Sequence, residues 1–71
     1  MWIPITEQEP EMEVEILLWA ESTDGDGYCY LGELDSKTVR KDKTMHDFRD
    51  AMHNTIENVT HWQPLPEAPN N

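Results

Sequence analysis

The chain has little of three things: cysteine, basic residues in its first half, and long apolar runs. Its one cysteine, Cys29, cannot form an internal disulfide, which is typical of a protein from the reducing cytoplasm. The longest apolar run covers residues 16–20 and is far too short to span a bilayer. Residues 1–4 have neither a basic start nor an apolar stretch, so we expect no signal peptide.

The charge is strongly negative and unevenly distributed. The 71 residues carry a net charge of −10, and residues 1–36 contain ten acidic residues and no lysine or arginine. All five basic residues fall within residues 37–49. Nucleic-acid binding needs cations against phosphate, so this composition argues against direct nucleic-acid or anionic membrane binding and favours a basic protein partner.

Residues 7–20 contain the clearest pattern of the chain. Glutamate occupies every odd position from 7 to 15, and the even positions from 12 to 20 are apolar. Strict alternation places successive side chains on opposite faces of a β-strand. We therefore expect a strand over 12–20, with Met12, Val14, Ile16 and Leu18 in the core and a row of glutamates in solvent. A half-buried strand with a merely solvated face would show the same pattern.

Two further main strands are expected. Residues 28–35 alternate and follow a Gly- and Asp-containing turn at 21–27, which predicts an antiparallel hairpin. Residues 58–63 form the third strand, and residues 2–5 are a short edge strand because Pro4 lacks an amide hydrogen. The proline-rich residues 64–71 are expected to form a polyproline-like tail.

One helix is predicted near residues 45–55. Thr44 and Asp47 have the spacing of an N-terminal capping box, and the apolar residues that follow recur at helical spacing. These apolar residues are Met45, Phe48, Met52 and Ile56. The expected fold class is α+β: a single domain, 1–71, with a small antiparallel sheet and a helical segment, 36–57, packed on one face.

No catalytic, cofactor or metal site is predicted. His46, Asp50 and His53 would share a helix face, but two histidines without a recognised zinc motif are read more simply as surface residues. A calcium loop that starts at Asp24 would need glycine at its sixth position and glutamate at its twelfth, where Cys29 and Asp35 stand. We therefore interpret Asp24-Gly25-Asp26 as a turn. A sheet of this size leaves little room for a catalytic cleft, so we do not expect an enzyme.

Both ends of the chain resemble a known family. The start Trp2-Ile3-Pro4 and the close Thr60-His61-Trp62-Gln63-Pro64-Leu65-Pro66 resemble the phage and prophage family called "domain of unknown function 551". The resemblance covers the two ends and the hairpin, and residues 36–57 look like an insertion. It implies a small sheet-based domain carried by phages, inside the cytoplasm of a bacterial host, and it implies no enzymatic activity.

Charge and resemblance together suggest a functional hypothesis. A row of carboxylates in a strand has a pitch on the scale of nucleic-acid phosphates and could occupy a basic groove. We therefore expect a phage accessory protein that inhibits a basic host protein, such as a nuclease or defence factor, by mimicking nucleic acid. The alternatives are a structural or adaptor module and, less favoured, a metal-binding protein or small enzyme. The predicted partner-binding residues are Glu7, Glu9, Glu11, Glu13, Glu15, Trp19, Asp24 and Asp26. The oligomeric state is left open.

Overall fold

The computed structural model describes residues 1–66, which form one six-stranded antiparallel sheet. The strands are β1 (Ile3–Pro4), β2 (Ile16–Glu21), β3 (Gly27–Arg40), β4 (Lys43–Asp50), β5 (Thr55–Ile56) and β6 (Val59–Pro64). Their order across the sheet is β1-β6-β2-β3-β4-β5. No helix long and apolar enough to cross a membrane occurs in this part of the chain.

The sheet must curl because of how β5 is joined to β6. In a flat sheet these two strands would be four strand spacings apart, or about 19 Å. The step from Ile56 to Val59 covers three residues, which reach about 10–11 Å at most. The curl forms a concave face, on which the core packs: Ile16, Leu18, Ala20, Leu34, Phe48, Ile56 and Trp62.

The predicted α+β class is wrong, because the described residues contain no helix. Residues 43–50 of the predicted helix region form β4, which pairs with β3 from Gly32↔Asp50 to Arg40↔Lys43. Of the predicted apolar stripe, Phe48 and Ile56 are buried opposite each other, whereas Met45 and Met52 are 61% and 81% exposed. The apparent helical spacing arises because two buried strand residues happen to lie eight positions apart.

The predicted strand 12–20 is wrong over its first four residues. Strand β2 begins only at Ile16, and Glu13 has a φ of 62°, a left-handed conformation outside the β region. Met12 makes one isolated bridge to Leu34, and both Met12 and Val14 are exposed, at 47% and 42%, rather than part of the core. The expected alternation of buried and exposed side chains starts where the pairing starts, at Ile16.

The other predicted strands are present with shifted ends. The β2–β3 hairpin is confirmed, and β3 continues to Arg40 instead of stopping at residue 35. Strand β6 covers Val59–Pro64, and the edge strand at 2–5 is reduced to the two residues of β1, paired as Ile3↔Trp62. Of the predicted tail, Leu65 and Pro66 are exposed, while residues 67–71 lie outside the described residues.

Candidate binding groove

The acidic segment, residues 7–15, crosses one end of the concave face. The Trp62 indole Nε1 donates a hydrogen bond of 2.8 Å to the Gln8 carbonyl, and Pro10 is buried. Further along, the Glu13 amide donates to the Leu34 carbonyl of β3 at 3.0 Å. The segment therefore connects β6 to β3 and covers core residues, a structural role that its glutamate pattern did not predict.

Glu9 differs from the other glutamates of the acidic segment. Its carboxylate lies 2.7 Å from His46 Nε2 and 3.3 Å from Lys37 Nζ. The hydrogen bond with His46, followed by the Lys37 ammonium, holds the pKa of Glu9 below its ordinary value. Glu7, Glu11, Glu13 and Glu15 are all exposed. Because these residues are not in a strand, the regular pitch assumed for a phosphate-like row is absent.

The remaining predicted contact residues do not form one surface with the acidic segment. Asp24 and Asp26 lie in the turn after β2, about 17 Å of strand away from Glu15 at its other end. The Asp24 carboxylate accepts hydrogen bonds from the Ser22 hydroxyl and the Asp26 amide, which lower its pKa and organise the turn.

Trp19 lies on the convex face and is half-buried. Its ring packs on Trp2 with centroids 5.7 Å apart and covers Gly27, where a Cβ atom would collide with the indole. Trp19 is thus part of a small aromatic cluster that attaches the N-terminus to the hairpin.

A groove opens on the concave face at the end opposite the acidic segment. Strand β4 ends at Asp50, opposite Gly32, so the first residues of β3 have β2 on one side and no strand on the other. Tyr28 and Tyr30 face the same side as the buried Ala20 and Leu18, their pairing partners. With nothing above them, these two tyrosines remain 51% and 39% exposed.

The groove has a volume of about 340 Å³ and is acidic. Glu21, Asp50 and Glu57 lie among its lining residues, together with both tyrosines and Ile56. The described residues that line it include no lysine or arginine. An apolar and aromatic floor with carboxylates around it suits a cationic side chain, which can lie over a tyrosine ring and pair with a carboxylate.

Asp50 also maintains the shape of the groove. Its carboxylate accepts hydrogen bonds of 2.9 Å from the amides of Met52 and Asn54, and these bonds, that of Asn54 first, lower the pKa of Asp50. The resulting turn directs the chain from β4 into β5. Sequence reasoning missed Tyr28, Tyr30 and Glu57 because the groove exists only where β4 stops short of the end of β3.

The histidines are distributed over separate sites. His46 contacts Glu9, His53 lies in the β4–β5 turn with a φ of 65°, and His61 Nδ1 is 2.7 Å from the Thr60 hydroxyl. Among residues 1–66, no three His, Cys, Asp or Glu side chains are grouped as metal ligands. Cys29 is exposed.

Comparison with known proteins identifies the family alone. The sequence family described as "Protein of unknown function (DUF551)" matches residues 1–70, a range that runs through residues 36–57 as well as both ends. No curated protein and no solved structure shows significant similarity to the chain.

Proposed function

The chain belongs to the DUF551 family of proteins of unknown function, and from its surface we propose that it acts by binding a basic segment of a partner protein in the groove beside Tyr28 and Tyr30. The observation that carries this proposal is the exposure of these two tyrosines on the core side of the sheet. Large aromatic side chains left uncovered in a concave, acidic setting are typical of a binding site rather than of a solvated face.

The chemistry of the groove favours lysine or arginine. A cation over a tyrosine ring contributes about 0.5–1 kcal/mol at an exposed site and more when it loses water. Glu57 and Glu21 are exposed and lie among the residues that line the same groove. The aromatic side chains would act as anchors, while the acidic residues elsewhere on the surface raise the association rate by long-range attraction.

The wider proposal concerns the partner. We place the protein as a phage accessory protein that occupies a basic site on a host nucleic-acid-processing or defence protein. The net charge of −10 supports a basic partner. The acidic segment is not a regular strand, so the spacing of its glutamates no longer supports a likeness to nucleic-acid phosphates. Inhibition by nucleic-acid mimicry therefore rests on charge alone.

The test is a titration with a labelled peptide of alternating arginine and glycine, read by fluorescence anisotropy. Two variants remove the same charge from different places: Glu21→Gln/Glu57→Gln in the groove and Glu11→Gln/Glu15→Gln on the acidic segment. We expect the groove variant to lose most of the affinity and the control to retain it. Tyr28→Leu should also weaken binding, since it removes the ring and keeps an apolar side chain.

The opposite results are equally informative. Loss of affinity only in the Glu11/Glu15 variant would assign binding to the acidic segment and favour the mimicry hypothesis. Equal, small losses in both variants would mean that the peptide senses only overall charge, and the groove would then have no binding role.

A further inference from the structure

The far end of the β3–β4 hairpin forms a two-stranded ribbon with no further strand paired to it. Residues 38–45, here called the distal ribbon, pair only with each other, and every one of them is exposed. Strand β3 alone has 14 residues, about 45 Å in length, which accounts for the longest dimension of the molecule, 49 Å. A two-stranded ribbon has little stability of its own, which makes an exposed one a candidate contact element.

The distal ribbon is the basic pole of an acidic molecule. It contains Arg40, Lys41 and Lys43 against one acid, Asp42, whereas the rest of the chain has a net charge of −12. These three cations make no ion pair within residues 1–66, in contrast to Lys37 and Arg49 nearer the sheet. Val39, 65% exposed, adds an apolar side chain next to Arg40.

The groove lies at the opposite end of the same strand. Tyr28 and Tyr30 are close to the beginning of β3, and Arg40 is its last residue. The ribbon therefore cannot reach the groove of its own chain, while its exposed cations have the chemistry that the groove suits. We propose that the distal ribbon of one copy docks into the groove of a second copy, a head-to-tail contact that rests on the groove of the proposed function.

Charge favours a second copy over the other possible occupants. Pairing of two ribbons edge to edge would bring like charges together, which is the usual protection of an exposed strand edge. Nucleic acid would meet three tip cations attached to a strongly acidic body, whereas phosphate binding needs many cations. In the head-to-tail contact, the ribbon separates the two acidic bodies by about 13 Å, more than the screening length of about 8–10 Å.

This contact joins two different surfaces, so a bound pair still has one free ribbon and one free groove. Such a heterologous contact continues into a chain or closes into a ring. We therefore expect assemblies whose mass grows with protein concentration and falls with added salt, because the contact is largely ionic.

The experiment uses sedimentation velocity on the full chain at low and high ionic strength. A ribbon variant, Arg40→Gln/Lys43→Gln, and a groove variant, Glu21→Gln/Glu57→Gln, should each be monomeric under conditions in which the wild type assembles. A mixture of the two has one intact ribbon and one intact groove, so we expect a single species, a 1:1 dimer. Lys37→Gln and Glu11→Gln/Glu15→Gln are the controls and should assemble as the wild type does.

The outcomes separate this inference from the proposed function. A wild type that stays monomeric at every concentration and salt, while the arginine–glycine peptide binds in the groove, overturns the head-to-tail contact and leaves the groove as a site for another protein. Assembly that survives in the ribbon variant also overturns it. If the wild type binds duplex DNA and only the ribbon variant loses this binding, the ribbon is instead a nucleic-acid contact.

Discussion

The two halves of the β3–β4 hairpin have the same strand geometry and different surroundings. The near half, around Leu34 and Phe48, has β2 and the acidic segment on one side and β5 on the other, and both of these residues are at least 98% buried. In the far half each strand pairs only with the other, and residues 38–45 are all exposed. Strand pairing is therefore the same in both halves of the hairpin, and only the burial of their side chains differs.

The largest expected effect is on the free energy of unfolding, and it compares one substitution in each half. Leu34→Ala should lower the free energy of unfolding by about 2–5 kcal/mol, since it leaves a cavity in a core with little margin. Val39→Ala in the distal ribbon should change it by no more than about 0.5 kcal/mol. Urea denaturation followed by tryptophan fluorescence measures both, and equal effects would contradict the division of the hairpin into a packed and an unpacked half.

A second, somewhat smaller effect tests the closeness of β3 and β4 in the near half. A Cβ atom at Gly32 would collide with the carbonyl oxygen of Arg49, which cannot move without disturbing the strand pairing. Gly32→Ala should therefore lower the free energy of unfolding by about 1–3 kcal/mol, as overpacking of a core does. Ala51→Gly, in the exposed turn beyond β4, is the control and should have little effect. A wild-type melting temperature in Gly32→Ala would show that the two strands are further apart.

The smallest effect concerns the junction between the halves, where Glu9 contacts Lys37 and His46. Because its pKa is lowered in the folded state, ionised Glu9 stabilises the protein above its ordinary pKa of 4.5, and this contribution disappears as the pH falls through the depressed value. Glu9→Gln should therefore melt below the wild type at about pH 6, and the difference should vanish towards about pH 3.

Glu11→Gln is the matched control for this pH dependence, because Glu11 is exposed in the same acidic segment and has no ion-pair partner within residues 1–66. The wild type also has lowered pKa values at Asp24 and Asp50, so the difference between Glu9→Gln and the control isolates Glu9. A pH-independent difference would mean that Glu9 acts by packing rather than by charge.

The sequence by itself determined the features that depend on neighbouring residues. Alternation from Ile16 onward and the glycine-containing turn around Gly25, which has a φ of 94°, defined the β2–β3 hairpin. The Trp2-Ile3-Pro4 start and the Thr60–Pro66 close were enough to indicate the family, which the match over residues 1–70 confirms. The separation of acidic from basic residues is likewise a property of the sequence alone.

Only the tertiary structure decided which other segments become strands, because strand formation there depends on pairing between distant residues. Residues 43–50 have a capping signal and apolar spacing that suit a helix, yet β3 offers them a full set of hydrogen-bond partners across the two-residue turn at Lys41, where φ is 51°. The turn lacks the glycine that usually marks a hairpin, so periodicity could not detect it. In the same way, alternation at residues 7–15 could not reveal that this segment pairs with β3 only at the isolated bridge between Met12 and Leu34.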